Sequence, residues 1–336
     1  TQAFEDAGLK SDQIDSDRFG VVFGSEMLYG HPSDLTDIFE SARDGDVTSM
    51  QKWGEHFTHQ MFPLWLLMYL PNMIACHAGI ALDARGPSNT IVQGAASGLL
   101  AIIEAATYIE RGWADVMISG GCGNAYNPTK EVYLSHDGLS QNPNGLEACR
   151  PFDADRDGTV PGEGGAAVIL ESRAHANARG ATILASLASF GRTVGLRNPT
   201  TGGATQAAMA RSIQLATQAI SPAELQHISA NGLGTIEDDR CEAQAIAAEL
   251  GSDVPVTAFK SYFGNLAAGA GATEFAASVL ALQRRQVPPV LNYRTPDPAC
   301  PIAVVRDAPQ AREQPLALVL SQSVTGQAAA IVLRAD

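Results

Sequence analysis

Apolar residues recur with two periods along this 336-residue chain. Leu99, Ile102, Ile103, Ala106 and Ile109 fall at helical spacing, directly after the β-branched residues 90–92 and a run of small residues. The pattern predicts a short buried strand, a tight turn and a helix. Upstream, Phe4, Ala7 and Leu9 predict a helix over 1–9, residues 19–25 a strand ending in a glycine turn, and residues 47–82 a helical, aromatic tract. Residues 113–121 read as a strand ending in glycines, and with the preceding helix and strand they make a right-handed βαβ unit, so a parallel sheet is expected. Strands at 166–171 and 181–190 flank a polar helix containing His175. A long loop at 191–205, a helix at 205–219 and strands at 316–320 and 329–333 follow. The helix with His175 divides the chain into halves of 1–172 and 173–336.

A side chain in the turn before Leu99 stands at a helix N-terminus, where unpaired N–H groups and the dipole stabilise an anion and lower a thiol pKa. That place suits a nucleophile. It carries Ala95. Ser97, two residues on, is better placed to cap the helix than to attack.

Composition narrows the function. Formal charge is −14 and the pI about 4.9, which repels phosphate backbones and anionic lipid surfaces, so neither nucleic acid nor a membrane is an expected partner. Five cysteines, widely spaced and never as C-x-x-C, argue against a disulfide framework or a zinc site and fit a reducing cytoplasm. The longest apolar run, residues 61–70, contains Pro63 and is too short to span a bilayer. The chain opens on Thr with no signal peptide, and the expectation is that a segment precedes it or was removed. Trp53, Phe57, Phe62, Trp65 and Tyr69 read as core packing, and His77 as a packed or capped imidazole. Asp153, Asp155 and Asp157 imitate a calcium loop, but the twelfth position is Gly164 rather than a bidentate Glu. No metal or cofactor is expected.

Several motifs resemble those of the β-ketoacyl-acyl carrier protein synthases. Gly86-Pro87-Ser88, the strand, the turn and Ser97-Gly98 are similar to that family's active-site elbow, with Ala95 where its Cys belongs. Residues 113–121 are similar to its Ala-Asp-Val-Met strand, and Arg150-Pro151-Phe152-Asp153 through Asp157-Gly158, then Gly162-Glu163-Gly164, to its Arg-Pro-Phe-Asp loop, with Thr159 where Phe is usual. Asn231, counted back from Asp239, stands at the first catalytic His, and Asn265, after Lys260-Ser261, at the second. Lys260 and Glu274 match the family's Lys and Glu, read on their own as a structural ion pair. The aromatic gate and glycines before the last strand are replaced by Gln322-Ser323-Val324-Thr325-Gly326.

The resemblance implies a duplicated thiolase-like α/β fold: two halves, each with a mixed, five-stranded-type sheet, in alternating helix and sheet layers. It also implies a dimer formed near residues 90–93, an opening strand without a counterpart here, and, as the alternative to core packing, a tract over 47–82 that lines the acyl tunnel and the dimer contact. Ala95 has no attacking atom, and asparagines donate hydrogen bonds without titrating near neutrality. The leading expectation is a catalytically silent subunit of fatty acid or polyketide biosynthesis, similar to chain-length factors, paired with an active ketosynthase. Val324, Thr159 and Thr235 are its expected substrate-binding positions, and acyl carrier protein or acyl-CoA thioesters its expected partners. Two alternatives stay open. One is a thioester decarboxylase or non-covalent acyl transferase using Asn231 and Asn265 as donors; the other is a homodimeric thioester-binding module.

Overall fold

The computed structural model describes residues 2–10, 14–26, 32–124, 138–196 and 206–336. In chain order its main strands are β1 (Phe19–Gly24), β2 (Ser88–Ile91), β3 (Val116–Asn124), β4 (Glu163–Glu171), β5 (Ala185–Val194), β6 (Leu225–Ser229), β7 (Pro255–Thr257), β8 (Ala303–Val304), β9 (Leu316–Gln322) and β10 (Gln327–Ala335). They form two sheets, ordered β2-β1-β3-β4 and β8-β7-β6-β9-β10-β5. β1 is parallel to β2 and β3, while β4 is antiparallel to β3. β6 is parallel to β7 and β9, and β10 is antiparallel to β9. The run of directions in β2-β1-β3-β4 therefore recurs in β7-β6-β9-β10. Fully buried apolar strands such as β1 and β9 are what a sheet covered on both faces demands.

The covering helices are α1 (Gln2–Asp6), α2 (Met50–Gln60), α3 (Met73–Leu82), α4 (Ser97–Glu110), α5 (Arg173–Ala178), α6 (Gln206–Thr217), α7 (Ile236–Leu250), α8 (Lys260–Phe263) and α9 (Ala270–Arg284). α4 and α9 lie between the sheets: Leu99, Ile102 and Ile103 meet Ala272, Phe275 and Leu282, with Val319 and Ile331 on one side and Val168 and Leu170 on the other. Met209, Ile213 and Ile246 of α6 and α7 cover the outer face of the second sheet, and Phe4 and Ala75 of α1 and α3 that of the first. Helix and sheet thus alternate in five layers.

Four expectations change. The strands flanking α4 are not neighbours, because β1 lies between β2 and β3. The sheets have four and six strands among the described residues, rather than five each. β2 is half-exposed, because it is the edge of its sheet. The loop predicted over 191–205 begins as the end of β5, and residues 197–205 lie outside the described residues.

The aromatic tract is not core. α2 has no buried residue, and Phe62, Leu64, Leu66, Leu67 and Met68 are exposed, Phe62 by 61%. Trp53 stacks on Phe57 with ring centroids 4.7 Å apart, a satellite cluster beside the sheets. His77 is exposed on α3 rather than packed, as is Ile80 one turn along. These side chains are large, apolar and exposed among the described residues, and exposed apolar surface of this kind, where it is contiguous, is typical of interaction sites.

Candidate functional site

The elbow forms as the sequence predicts. Gly94 takes a left-handed φ of 57°, which a residue with a Cβ resists, and residues Gly94–Ala96 make one 3₁₀ turn into α4. Ser97 Oγ accepts from Gln93 N at 2.8 Å and donates to the Gly94 carbonyl at 2.7 Å. It braces the turn instead of capping a free helix N–H, which corrects the expected role. Ala95 is half-buried, and its carbonyl accepts from Ser321 Oγ at 3.1 Å.

Glycine brings the second half of the chain up to this elbow. A Cβ on Gly98 would lie 2.8 Å from the Ala268 carbonyl oxygen, and one on Gly121 would lie 2.5 Å from the same oxygen. The turn Ala267–Gly269 therefore rests directly on the start of α4 and the end of β3. Asn265 leads into that turn.

Asn265 Oδ1 accepts from Ala267 N at 3.0 Å, while its backbone N donates to the Val160 carbonyl at 2.7 Å. Asn231 follows β6 and is 4% exposed. Lys260 Nζ donates to its Oδ1 at 3.1 Å, to its carbonyl at 2.7 Å and to Glu274 Oε1 at 2.6 Å, and both members of this ion pair are fully buried. An ammonium and a backbone N–H only donate, so each asparagine must turn its oxygen inward. Each Nδ2 is left with two protons and no acceptor among the described residues. The two asparagines are thus oriented donors, and neither moves a proton.

Two carboxylates missed as site residues support Asn231. Glu242 accepts from Asn231 N at 2.6 Å and Gly232 N at 2.8 Å. Burial pushes its pKa up to about 8, against the pull of those two N–H groups. Asp239 accepts from Phe152 N at 2.8 Å and Gly234 N at 3.0 Å, and burial raises it to about 6. Arg156 closes this frame, 3.7 Å from Asp239 and 2.6 Å from Asp297. The signal was available in the sequence: Asp239, Glu242, Ala243 and Ile246 share the buried stripe of α7 at helical spacing, and acids on an apolar stripe require a partner.

Two of the three expected substrate positions lie together: the Gly138 carbonyl accepts from Thr159 N at 2.8 Å, and a Cβ on Gly138 would lie 4.0 Å from Thr235 Cγ2. Thr235 Oγ1 donates to Asp238 Oδ2 at 2.7 Å in the first turn of α7. Thr159 is 3% exposed, its hydroxyl without a partner among the described residues, one residue before the carbonyl that holds Asn265. Val324 is half-buried in the turn between β9 and β10, where Ser323, Thr325 and Gln327 bond one another and Ser323 abuts Gly94. The aspartates of the Arg-Pro-Phe-Asp loop are engaged by protein donors: Asp153 by Arg294 N, Thr295 N and Asp155 N, Asp157 by Ser140 and Gln141. No group of three metal-ligating side chains occurs among the described residues. An open cavity of about 400 Å³ lies beside Leu266, lined by Ser25, Glu26, Cys122 and Glu163 among others, and by none of Ala95, Asn231 and Asn265.

The models of the β-ketoacyl synthase N-terminal and C-terminal domains match residues 1–176 and 180–294. The chain belongs to the β-ketoacyl synthase family. A putative polyketide β-ketoacyl synthase 1 of Streptomyces cyaneus is 36% identical over 275 residues, covering 79% of this chain and 64% of its own, so the chain spans less than two thirds of that relative. Among solved structures, a type II polyketide acyl-carrier protein in complex with its ketosynthase bound to the hexaketide superposes with a TM-score of 0.85 at 29% identity, covering 99% of this chain and 82% of that one. The ishigamide ketosynthase/chain length factor gives 0.82 at 26% identity, covering 99% and 79%. The fold is thiolase-like, as the motifs implied. No helix among the described residues is long and apolar enough to cross a membrane.

Proposed function

We propose that this chain is a non-condensing subunit of fatty acid or polyketide biosynthesis, a chain-length-factor-like partner of an active ketosynthase in the cytoplasm. One observation carries the reading: the elbow, its bracing serine and the Lys260–Glu274 pair are intact around a methyl group at Ala95 and two non-titrating amides at Asn231 and Asn265. Unconstrained decay would damage the frame as readily as the reacting groups. The chain divides into halves of 1–172 and 173–336 at α5. The edge strand β2 and the apolar surface of residues 62–68 with Ile80 are the faces that a second subunit covers, and the likeness to a ketosynthase/chain length factor favours a heterodimer. The growing acyl chain, delivered by acyl carrier protein, is the ligand whose length the pair sets. Co-expression with the host's ketosynthases tests this, tagged chain being expected to recover one of them in a one-to-one complex. Recovery only as a monomer or homodimer contradicts it.

The oriented amides favour a second reading in one respect. Amide donors whose oxygens are already engaged can serve a thioester carbonyl, and such donors stabilise a developing oxyanion by a few kcal/mol, on the order of 10²–10³ in rate. Under this reading the chain decarboxylates malonyl thioesters without a covalent intermediate. Turnover that survives both Asn231→Ala and Asn265→Ala contradicts it.

A further inference from the structure

Five polar atoms on one layer of the fold lack partners. His227 Nε2, Ser229 Oγ, Thr257 Oγ1, Glu274 Oε2 and Ser278 Oγ are each sealed from solvent with no hydrogen bond among the described residues. They share one seam. His227 and Ser229 pair with Ala317 and Val319 of β9, which face the α4–α9 layer. Thr257 is the register partner of Ser229 and so points to the same side. α9 packs on β6, and its Glu274 and Ser278, four residues apart and fully buried, share one face of the helix.

The ends of the seam are both acceptors. Gln226 Nε2 donates to the Arg312 carbonyl at 3.1 Å, which turns Gln226 Oε1 toward His227 Nδ1 at 2.9 Å. Nδ1 therefore carries the proton, and Nε2 presents a bare lone pair. Burial keeps this ring neutral, its pKa down at about 4. At the other end Glu274 gives Oε1 to Lys260 and keeps Oε2 unmatched. The hydroxyls of Ser229, Thr257 and Ser278 belong to the same layer, none with a hydrogen bond among the described residues. Five unmet groups in one core would cost a large share of a domain's whole stability.

We propose that the seam is an internal hydration site, in which ordered water donates to Glu274 Oε2 and His227 Nε2 and bridges the hydroxyls of Ser229, Thr257 and Ser278. Water is the species that fits: it is small, donates and accepts, and occupies sealed polar voids that offer several partners. Donation to Oε2 holds Glu274 as a carboxylate, and so holds Lys260 against Asn231. Ser229, Thr257 and Ser278 are then positioning residues acting through water. This inference is independent of whether the chain condenses, decarboxylates or only binds.

The test uses full-length protein and the near-isosteric double variant Thr257→Val, Ser278→Ala. A crystal structure of the wild type is expected to place ordered water in the seam, and oxygen-17 relaxation dispersion to count at least one long-lived water fewer in the variant. The variant's unfolding constant rises about tenfold, and the Glu274 ¹³Cδ resonance moves from the carboxylate toward the acid position. If the variant does not fold, Ser278→Ala alone and the wild-type crystal structure decide. A dry seam reverses the sign, since deleting unmet hydroxyls would leave the unfolding constant unchanged or lower it, and that result overturns the proposal. An alkali cation in place of water, seen as anomalous signal after rubidium soaking, overturns it too.

Discussion

Lys260 Nζ lies 3.1 Å from Asn231 Oδ1 and 2.6 Å from Glu274 Oε1, with both ionic side chains fully buried. One ammonium thereby ties an ion pair with Glu274 of α9 to the orientation of the Asn231 amide. Lys260→Met leaves Glu274 buried without a counter-charge and is expected to destabilise the fold by about 3–5 kcal/mol. Lys260→Met with Glu274→Leu recovers most of that loss, because two charges leave together. Urea unfolding of the single and double variants measures both. Equal losses in the two would show that the pair is not coupled.

The elbow predicts what a thiol at residue 95 does. Ala95→Cys places sulfur at the N-terminus of α4, where the dipole and free N–H groups favour the thiolate by about 0.3–1 kcal/mol. Alkylation by iodoacetamide, or acylation by an acyl thioester, is expected at residue 95 and is read by intact-protein mass spectrometry. No ketoacyl product follows, since Asn231 and Asn265 offer no proton transfer. The minimum for rescue is Ala95→Cys with Asn231→His and Asn265→His. An unreactive thiol would mean that the elbow is closed to solvent.

The raised acids make stability fall with pH. Glu242 has an ordinary value of 4.5 and a folded value of about 8, so the folded state holds its proton more tightly between those limits and loses stability as pH rises through them. Asp239 acts the same way between 3.8 and about 6, whereas His227, lowered from 6.5 to about 4, has the opposite sign between those values. Above pH 6.5 Glu242 acts alone among these three. Urea midpoints are expected to drop from pH 6.5 to 8 in the wild type and to be nearly flat there in Glu242→Gln. A wild-type midpoint that rises over this window would contradict the assignment.

The exposed tract separates interface from core. Phe62→Asp with Leu66→Asp touches side chains exposed in the single chain, so its effect on monomer stability is expected within about ±0.5 kcal/mol. Its effect on assembly is large. Sedimentation should show loss of the one-to-one complex with a ketosynthase while the melting temperature of the isolated chain is kept. A sharp fall in that temperature would instead place these residues in a core.

The elements with a clean period were legible in the sequence: α4, α6, β9 and β10 fall within a few residues of their predicted places, because a face buried in the chain's own core leaves a period to read. The tract over 47–82 misled for the complementary reason. Its aromatics look like core residues, but composition does not tell an aromatic packed in a core from one left at the surface, where Phe62 lies. β1 inserting between β2 and β3 was also invisible, since a βαβ pattern gives handedness and not adjacency. At the site, Ala95, Asn231, Asn265, Lys260 and Glu274 came from motif register. The inward turn of both amide oxygens and the grip of Glu242 on Asn231 required coordinates, because they depend on which donors arrive from other strands.

The wild-type chain is expected to form no carbon–carbon bond. Purified chain, given an acyl thioester as primer and malonyl-acyl carrier protein as extender, is expected to yield no ketoacyl product and no acyl adduct by mass spectrometry. Added to an active ketosynthase, it is expected to change the length of the product. A ketoacyl product, or a covalent acyl group, from the wild-type chain alone would contradict the account.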